Sequence, residues 1–149
     1  MLNSSFLYEN CVITKIENYA AAGTTDATSD VLDMSGYDGV CFIAFLGTVT
    51  DASDLTFLAY ENTASSTSSP TPTAVTSATT GVVAAATSSN KYMLLDIKKN
   101  ALTKRYVYCK LVIDTQNAAL DNIIAIRYAA RSLPVTADSG VLSAVTVGA

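Results

Sequence analysis

The chain has 149 residues, the length of one domain; half of it is hydrophobic, only 15% is charged, and the net charge is −4. An acidic balance speaks against nucleic acid as the main partner, because phosphate binding needs clustered Lys and Arg, and no apolar run reaches the ~20 residues that span a bilayer. Histidine is absent altogether, which removes the commonest general base and the commonest transition-metal ligand together.

Met1 to Asn10 lacks a basic region followed by an apolar core, so it reads as no signal peptide. Cys11 to Asn18 and Leu55 to Glu61 alternate weakly, as half-buried strands do. Between them, Val31 to Gly47 (VLDMSGYDGVCFIAFLG) is the most informative stretch. A polar turn, Ser35 to Gly39, feeds seven apolar residues, Val40 to Leu46, closed by glycine. So short a run, rich in aromatic and β-branched residues, predicts a fully buried central strand rather than a helix. Gly47 to Asp54, with two aspartates, reads as the turn that follows.

Thr63 to Asn90 is almost wholly Ser, Thr and Ala, with Pro70 and Pro72 in its first half. It is read as a long surface excursion containing one short edge strand, Gly81 to Ala86; a flexible or mucin-like linker is the alternative. Tyr92 to Lys98 alternates cleanly, with Met93, Leu95 and Ile97 on one face. In Arg105 to Asp114, Val107, Cys109, Leu111 and Ile113 oppose Tyr106, Tyr108, Lys110 and Val112. Asp114 to Asn122 reads as a turn in which a short helical stretch near Thr115 to Leu120 is allowed, and Ile123 to Arg131 as a last strand. The tail, Ser132 to Ala149, holds one charge and several β-formers, and such a segment left free invites aggregation. It is expected to pair within its own sheet or with a neighbouring subunit, the latter favoured.

Strands at this spacing without a helical period predict an all-β antiparallel sandwich or barrel. The single domain is expected to span residues 1–135, with the excursion at 63–90 inside it and a tail or arm at 136–149.

Little chemistry fits this chain. Without histidine no Ser-His-Asp or Cys-His arrangement exists, and no Ser-Lys motif of recognisable spacing appears. Glu9, Glu17 and Glu61 lie near strand ends, and the aspartates fall mainly in turns, where capping backbone amides is the simpler role. Asp51 with Asp54, or Asp26 with Asp30 and Asp33, are the arrangements that could offer loop oxygens to calcium, although no EF-hand pattern accompanies them. Cys11, Cys41 and Cys109 sit in apolar segments and read as free buried thiols. The expectation is a non-enzymatic protein with no catalytic residues, cofactor or metal.

Tyrosines are the most distinctive remainder, since a large apolar ring with a polar tip suits interfaces and sugar platforms. Tyr106, Tyr108 and Tyr128, with Val141, Leu142, Val145 and Val147 of the tail, form the expected partner surface. Tyr60 and Tyr92 are placed on neighbouring strands, and Tyr37 in a local corner role.

The motifs GYDGVCFIAFLG, YMLLDIKK, KRYVYCKLVID and IAIRYAARSLPV, with the Ser/Thr/Ala stretch between the first two, resemble small structural proteins of tailed bacteriophages and prophages. Some of those are head decoration (cement) proteins encoded beside the major capsid protein. The likeness runs from about Val12 to Val135 and carries no catalytic residues. It implies a jelly-roll-like sandwich that binds the major capsid protein on the capsid exterior, made in the host cytoplasm. A homo-oligomer is expected with it, a trimer favoured, and neither nucleic acid nor membrane as partner. The alternative is a tail, neck or fibre-associated sandwich that binds a host glycan or a protein.

Overall fold

A computed structural model describes residues 7–131, 136 and 138–142. After a one-turn helix, α1 (Leu7–Asn10), ten strands follow: β1 (Val12–Glu17), β2 (Ala20–Gly23), β3 (Ala27–Thr28), β4 (Leu32–Asp33), β5 (Tyr37–Val49), β6 (Asp54–Asn62), β7 (Thr73–Val83), β8 (Tyr92–Lys98), β9 (Tyr106–Asp114) and β10 (Ala118–Ala130). All pairings are antiparallel.

The first sheet runs β1-β10-β5-β8, with β2 also on β10; the second runs β3-β9-β6-β7, with β4 also on β9. Counting the broken pair β3/β4 as one strand and setting β2 aside, the first sheet takes the first, eighth, third and sixth strands. The second takes the second, seventh, fourth and fifth. That order is the eight-stranded jelly roll, built of two Greek keys.

The alternation read in the sequence decides which side chains meet between the sheets. Val40, Phe42, Ala44 and Leu46 of β5 and Leu120, Ile123 and Ala125 of β10 face Leu55 and Phe57 of β6 and Val107, Cys109, Leu111 and Ile113 of β9. Phe42 and Phe57 are fully buried; each such ring contributes about 1.5–3 kcal/mol by leaving water. Arg127, of the same parity as Ile123 and Ala125, bridges the sheets at one end. Its Nη1 donates to the Asp33 carbonyl at 3.1 Å and its guanidinium lies 4.8 Å from the Tyr37 ring.

Three expectations need correction, and one open possibility is decided. The Val40 to Leu46 segment belongs to a thirteen-residue strand buried on one face only: Cys41, Ile43 and Phe45 are half-buried on the outside. The preceding turn shrinks to Ser35-Gly36, where Gly36 takes a left-handed φ of 87° that glycine adopts without strain. The edge strand of the Ser/Thr/Ala segment is Thr73–Val83, not Gly81 to Ala86. Lying at an edge with most side chains exposed, it needs no alternation of polarity and so left no period-2 signal. Finally, Thr115 to Leu120 forms no helix: Thr115 turns the chain at φ 63° and β10 begins at Ala118.

Candidate partner surfaces

The outer face of the first sheet is unusually apolar. Strand register aligns Ile13, Ile126 and Cys41 in one row ending at Asp96. The next row holds Lys15, Ile124, Ile43 and Leu94, and a third holds Asn122, Phe45 and Tyr92. Ile13, Tyr92 and Leu94 are 42%, 62% and 46% exposed, and the rings of Phe45 and Tyr92 lie 5.9 Å apart. Contiguous apolar surface of this kind marks an interaction site more often than isolated exposed side chains do.

One end of this face is closed by Tyr128. Its ring crosses Gly39 of β5, where a Cβ would overlap it, and its hydroxyl donates to Asp96 Oδ1 of β8 at 2.6 Å. Burial and the Asp96 carboxylate push the phenol up to about 12. Glycine at position 39 thus serves close approach of a ring inside a strand.

The second sheet carries a different outer face. Tyr60 and Tyr108, directly paired in register, stack with centroids 5.4 Å apart. Residues 63–72 fold back over Tyr108. The loop is pinned by Asn62, a fully buried side chain: its Nδ2 donates to the carbonyls of Ser66 at 2.7 Å and Pro70 at 2.9 Å, and its Oδ1 accepts from Thr63 N at 2.7 Å. Tyr108 donates to the Thr67 carbonyl at 3.2 Å, tying loop to sheet. Next to Asn62, the buried Glu61 carboxylate accepts from Thr103 N at 2.7 Å, Lys104 N at 3.0 Å and the Thr103 hydroxyl. Burial alone would raise Glu61, but these donors outweigh it and hold the carboxyl below the usual range.

Ion pairs border this face. Lys110 Nζ meets Asp26 Oδ2 at 2.6 Å, and Arg105 grips both Asp33 carboxylate oxygens at 2.8 and 2.6 Å. Each cation keeps its aspartate below the ordinary carboxylate range. Asp26 and Asp33 are therefore committed to cations rather than turned together with Asp30. Among the described residues no group of three His, Cys, Asp or Glu side chains is placed to hold a metal. The three cysteines are free thiols; Cys11 and Cys109 are buried, and burial pushes Cys109 up to about 12.

The expected surface residues do not form one surface. Tyr106 is half-buried on the second sheet, with the Arg105 guanidinium 5.3 Å from its ring. Tyr108, on the same face, is only 5% exposed because the loop covers it, which corrects the reading of Tyr108 as an exposed surface residue. Tyr128 is on the other sheet, across the sandwich. Val141 and Leu142 are exposed, near Asp138, which accepts from the Thr14 hydroxyl at the β1 edge. Val145 and Val147 lie outside the described residues. Sequence reading missed the apolar rows; the available signal was that Ile43, Phe45, Ile124 and Ile126 fill positions where an outward face is usually polar.

No family model matches the chain, and no curated protein matches it. Among solved structures it is similar to the crystal structure of PBSX exported protein XepA, at 14% identity and a TM-score of 0.52. The superposition takes in 99% of this chain and 47% of that one, so the chain spans about half the length of its neighbour. The likeness bears on the fold.

Proposed function

We propose that this protein is a non-enzymatic structural component of a phage particle. It attaches to the major capsid protein on the outside of the head, as a homo-oligomer, and bridges neighbouring capsomers. The observation that carries this reading is the outer face of the β1-β10-β5-β8 sheet, where Ile13, Ile43, Phe45, Tyr92, Leu94, Ile124 and Ile126 make a continuous apolar field. Water contact with that field is unfavourable, and a protein partner relieves it. The sequence motifs that resemble small structural proteins of tailed bacteriophages support the same reading, and the sandwich fold is one that the chain shares with PBSX exported protein XepA. Many weak contacts multiplied by capsid symmetry give firm attachment without any single strong site.

Co-sedimentation with capsids assembled without the protein tests this directly. Saturable binding is expected, and so is an oligomer in solution. A monomer that leaves such capsids bare refutes the reading. Deleting residues 140–149 is expected to weaken oligomerisation or capsid binding, as strand exchange through the tail requires.

A second reading, a tail, neck or fibre-associated sandwich that holds a host glycan, rests on a groove in the opposite face of the molecule.

A further inference from the structure

On the second sheet, two adjoining hollows of about 690 and 380 Å³ share Thr28 and Thr67 as lining residues and form one open groove. One wall is the chain between β3 and β4; the other is the loop that Asn62 pins. We infer that this groove binds an uncharged oligosaccharide, with Tyr60 as the ring platform and Asp30 as the principal hydrogen-bond acceptor. The inference rests on the second reading above and names the ligand class for it.

Three properties of the groove point to a sugar. It has an aromatic lining: Tyr60 is half-buried and braced on one side by stacking against its cross-strand neighbour Tyr108, and a braced ring can take the C–H face of a pyranose without losing conformational freedom. Its walls offer unused polar groups: among the described residues the hydroxyls of Thr28, Ser65 and Thr67 and the Asp30 carboxylate have no hydrogen-bond partner. Their neighbours are spent, since the Ser29 hydroxyl bonds the Asp30 carbonyl and Cys109 N, and the Ser66 hydroxyl accepts from Ser68 N and Ser69 N. Lastly, the groove is pre-shaped, because the buried Asn62 amide and the Tyr108 hydroxyl fix the loop before any ligand arrives.

Charge selects the class of sugar. The cation of the groove, Lys110, is neutralised by Asp26 at 2.6 Å, whereas Asp30 has no ion-pair partner among the described residues. An anionic saccharide would meet a carboxylate with no free cation to offset it. A neutral one presents vicinal hydroxyls, which a carboxylate accepts in pairs.

Titration of the full-length protein with maltotriose, chitotriose and sialyllactose, read by saturation-transfer NMR and calorimetry, tests the inference. At least one neutral trisaccharide is expected to bind at millimolar affinity or better, and sialyllactose more weakly. Asp30→Asn is expected to lower the affinity about tenfold, the scale of a hydrogen bond to a charged group. Tyr60→Leu, which keeps apolar bulk but removes the flat ring, is expected to abolish saturation transfer to the sugar C–H protons while the fold is retained by circular dichroism. The inference is overturned if neither neutral sugar binds, if sialyllactose binds best, or if both variants bind like the parent. Asp30→Asn should still co-sediment with capsids. Loss of capsid and sugar together would make the groove a protein contact and defeat the sugar assignment, whereas intact sugar binding without capsid attachment would defeat only the capsid reading.

Discussion

The two outward faces of this sandwich start from similar strands and reach opposite states. On the second sheet, β6 and β9 present Leu58, Tyr60, Tyr106, Tyr108 and Val112, and the Ser/Thr-rich loop covers part of that surface, burying Tyr108 completely enough to leave 5% exposed. On the first sheet, β5, β8 and β10 present the apolar rows, at whose margins Ile13, Tyr92 and Leu94 stand exposed. One face has been closed from within the chain, at the expense of the buried Asn62 amide. The other has been left open. The proposed capsid contact uses the first sheet and the proposed sugar groove the second, so variants that alter the contrast test both proposals.

The sharpest way to break the contrast is to release the loop. Asn62→Ala removes the amide that holds the carbonyls of Ser66 and Pro70 and the amide of Thr63. The expected loss is about 3 kcal/mol, the upper range for stranding buried polar groups, and the 63–72 segment should become the first site of limited proteolysis. Denaturation midpoints with mapped cleavage sites check both. If the loop stays protected, it is held by the sheet and not by Asn62.

Next in size is Gly39→Ala on the open face. The new methyl would occupy the space of the Tyr128 ring and push it off β5, breaking its bond to Asp96. A cost of about 1–3 kcal/mol is expected from overpacking. Tyr128→Phe, which removes only the hydroxyl, should cost about 1 kcal/mol. Combining Gly39→Ala with Tyr128→Ala should recover part of the loss in thermal melts, because the clash then has no second partner. Strict additivity would contradict the close approach.

The second sheet should also be the acid-sensitive one. Asp26, Asp33 and Glu61 all have folded-state affinities for protons below their ordinary values. A group depressed on folding stabilises the native state above its unfolded pKa and loses that contribution as pH falls through its folded pKa. Stability should therefore be level near neutrality and decline below about pH 4, where free carboxylates begin to protonate. Asp33 and Asp26 are too exposed to count for much, so Glu61→Gln should flatten most of the decline attributable to these three groups. Denaturant titrations from neutral to acid pH, on parent and variant, measure that slope.

Much of this architecture is legible in the residues. The faces of β8 and β9 follow directly from alternation, because Met93, Leu95 and Ile97, and Val107, Cys109, Leu111 and Ile113, are apolar where their neighbours are not or are amphipathic. Two things escaped. β7 is an edge strand of Thr, Ala, Ser, Gly and Val with little burial, and its placement is set by pairing to β6, a long-range contact that leaves no local period. The covering of Tyr108 depends on Asn62 folding a loop back across the sheet, and a single asparagine at the end of a strand carries no sign of where its amide will reach. The open face was misread for the converse reason. An unbroken apolar run in β5 looks the same whether both its sides are buried or one awaits a partner, and only the register with Ile124, Ile126 and Leu94 separates the two.

The smallest expected effect on stability bears most directly on function. Tyr92 and Leu94 stand on β8, at the margin of the apolar rows, 62% and 46% exposed, while their neighbours Met93 and Leu95 hold the core. Replacing both with serine removes apolar surface that the isolated protein keeps in water, so folding should change by no more than about 0.5 kcal/mol per site, in either direction. Burial by a partner changes that balance: each side chain then contributes its transfer from water, about 1.5–3 kcal/mol for a residue of this size. Multiplied over the subunits of a symmetric assembly, the double variant should lose capsid co-sedimentation while its melting temperature barely moves. Sugar binding at the opposite face should be untouched. A variant that melts early and still binds capsids would show that these two side chains belong to the fold, and would move the contact surface elsewhere.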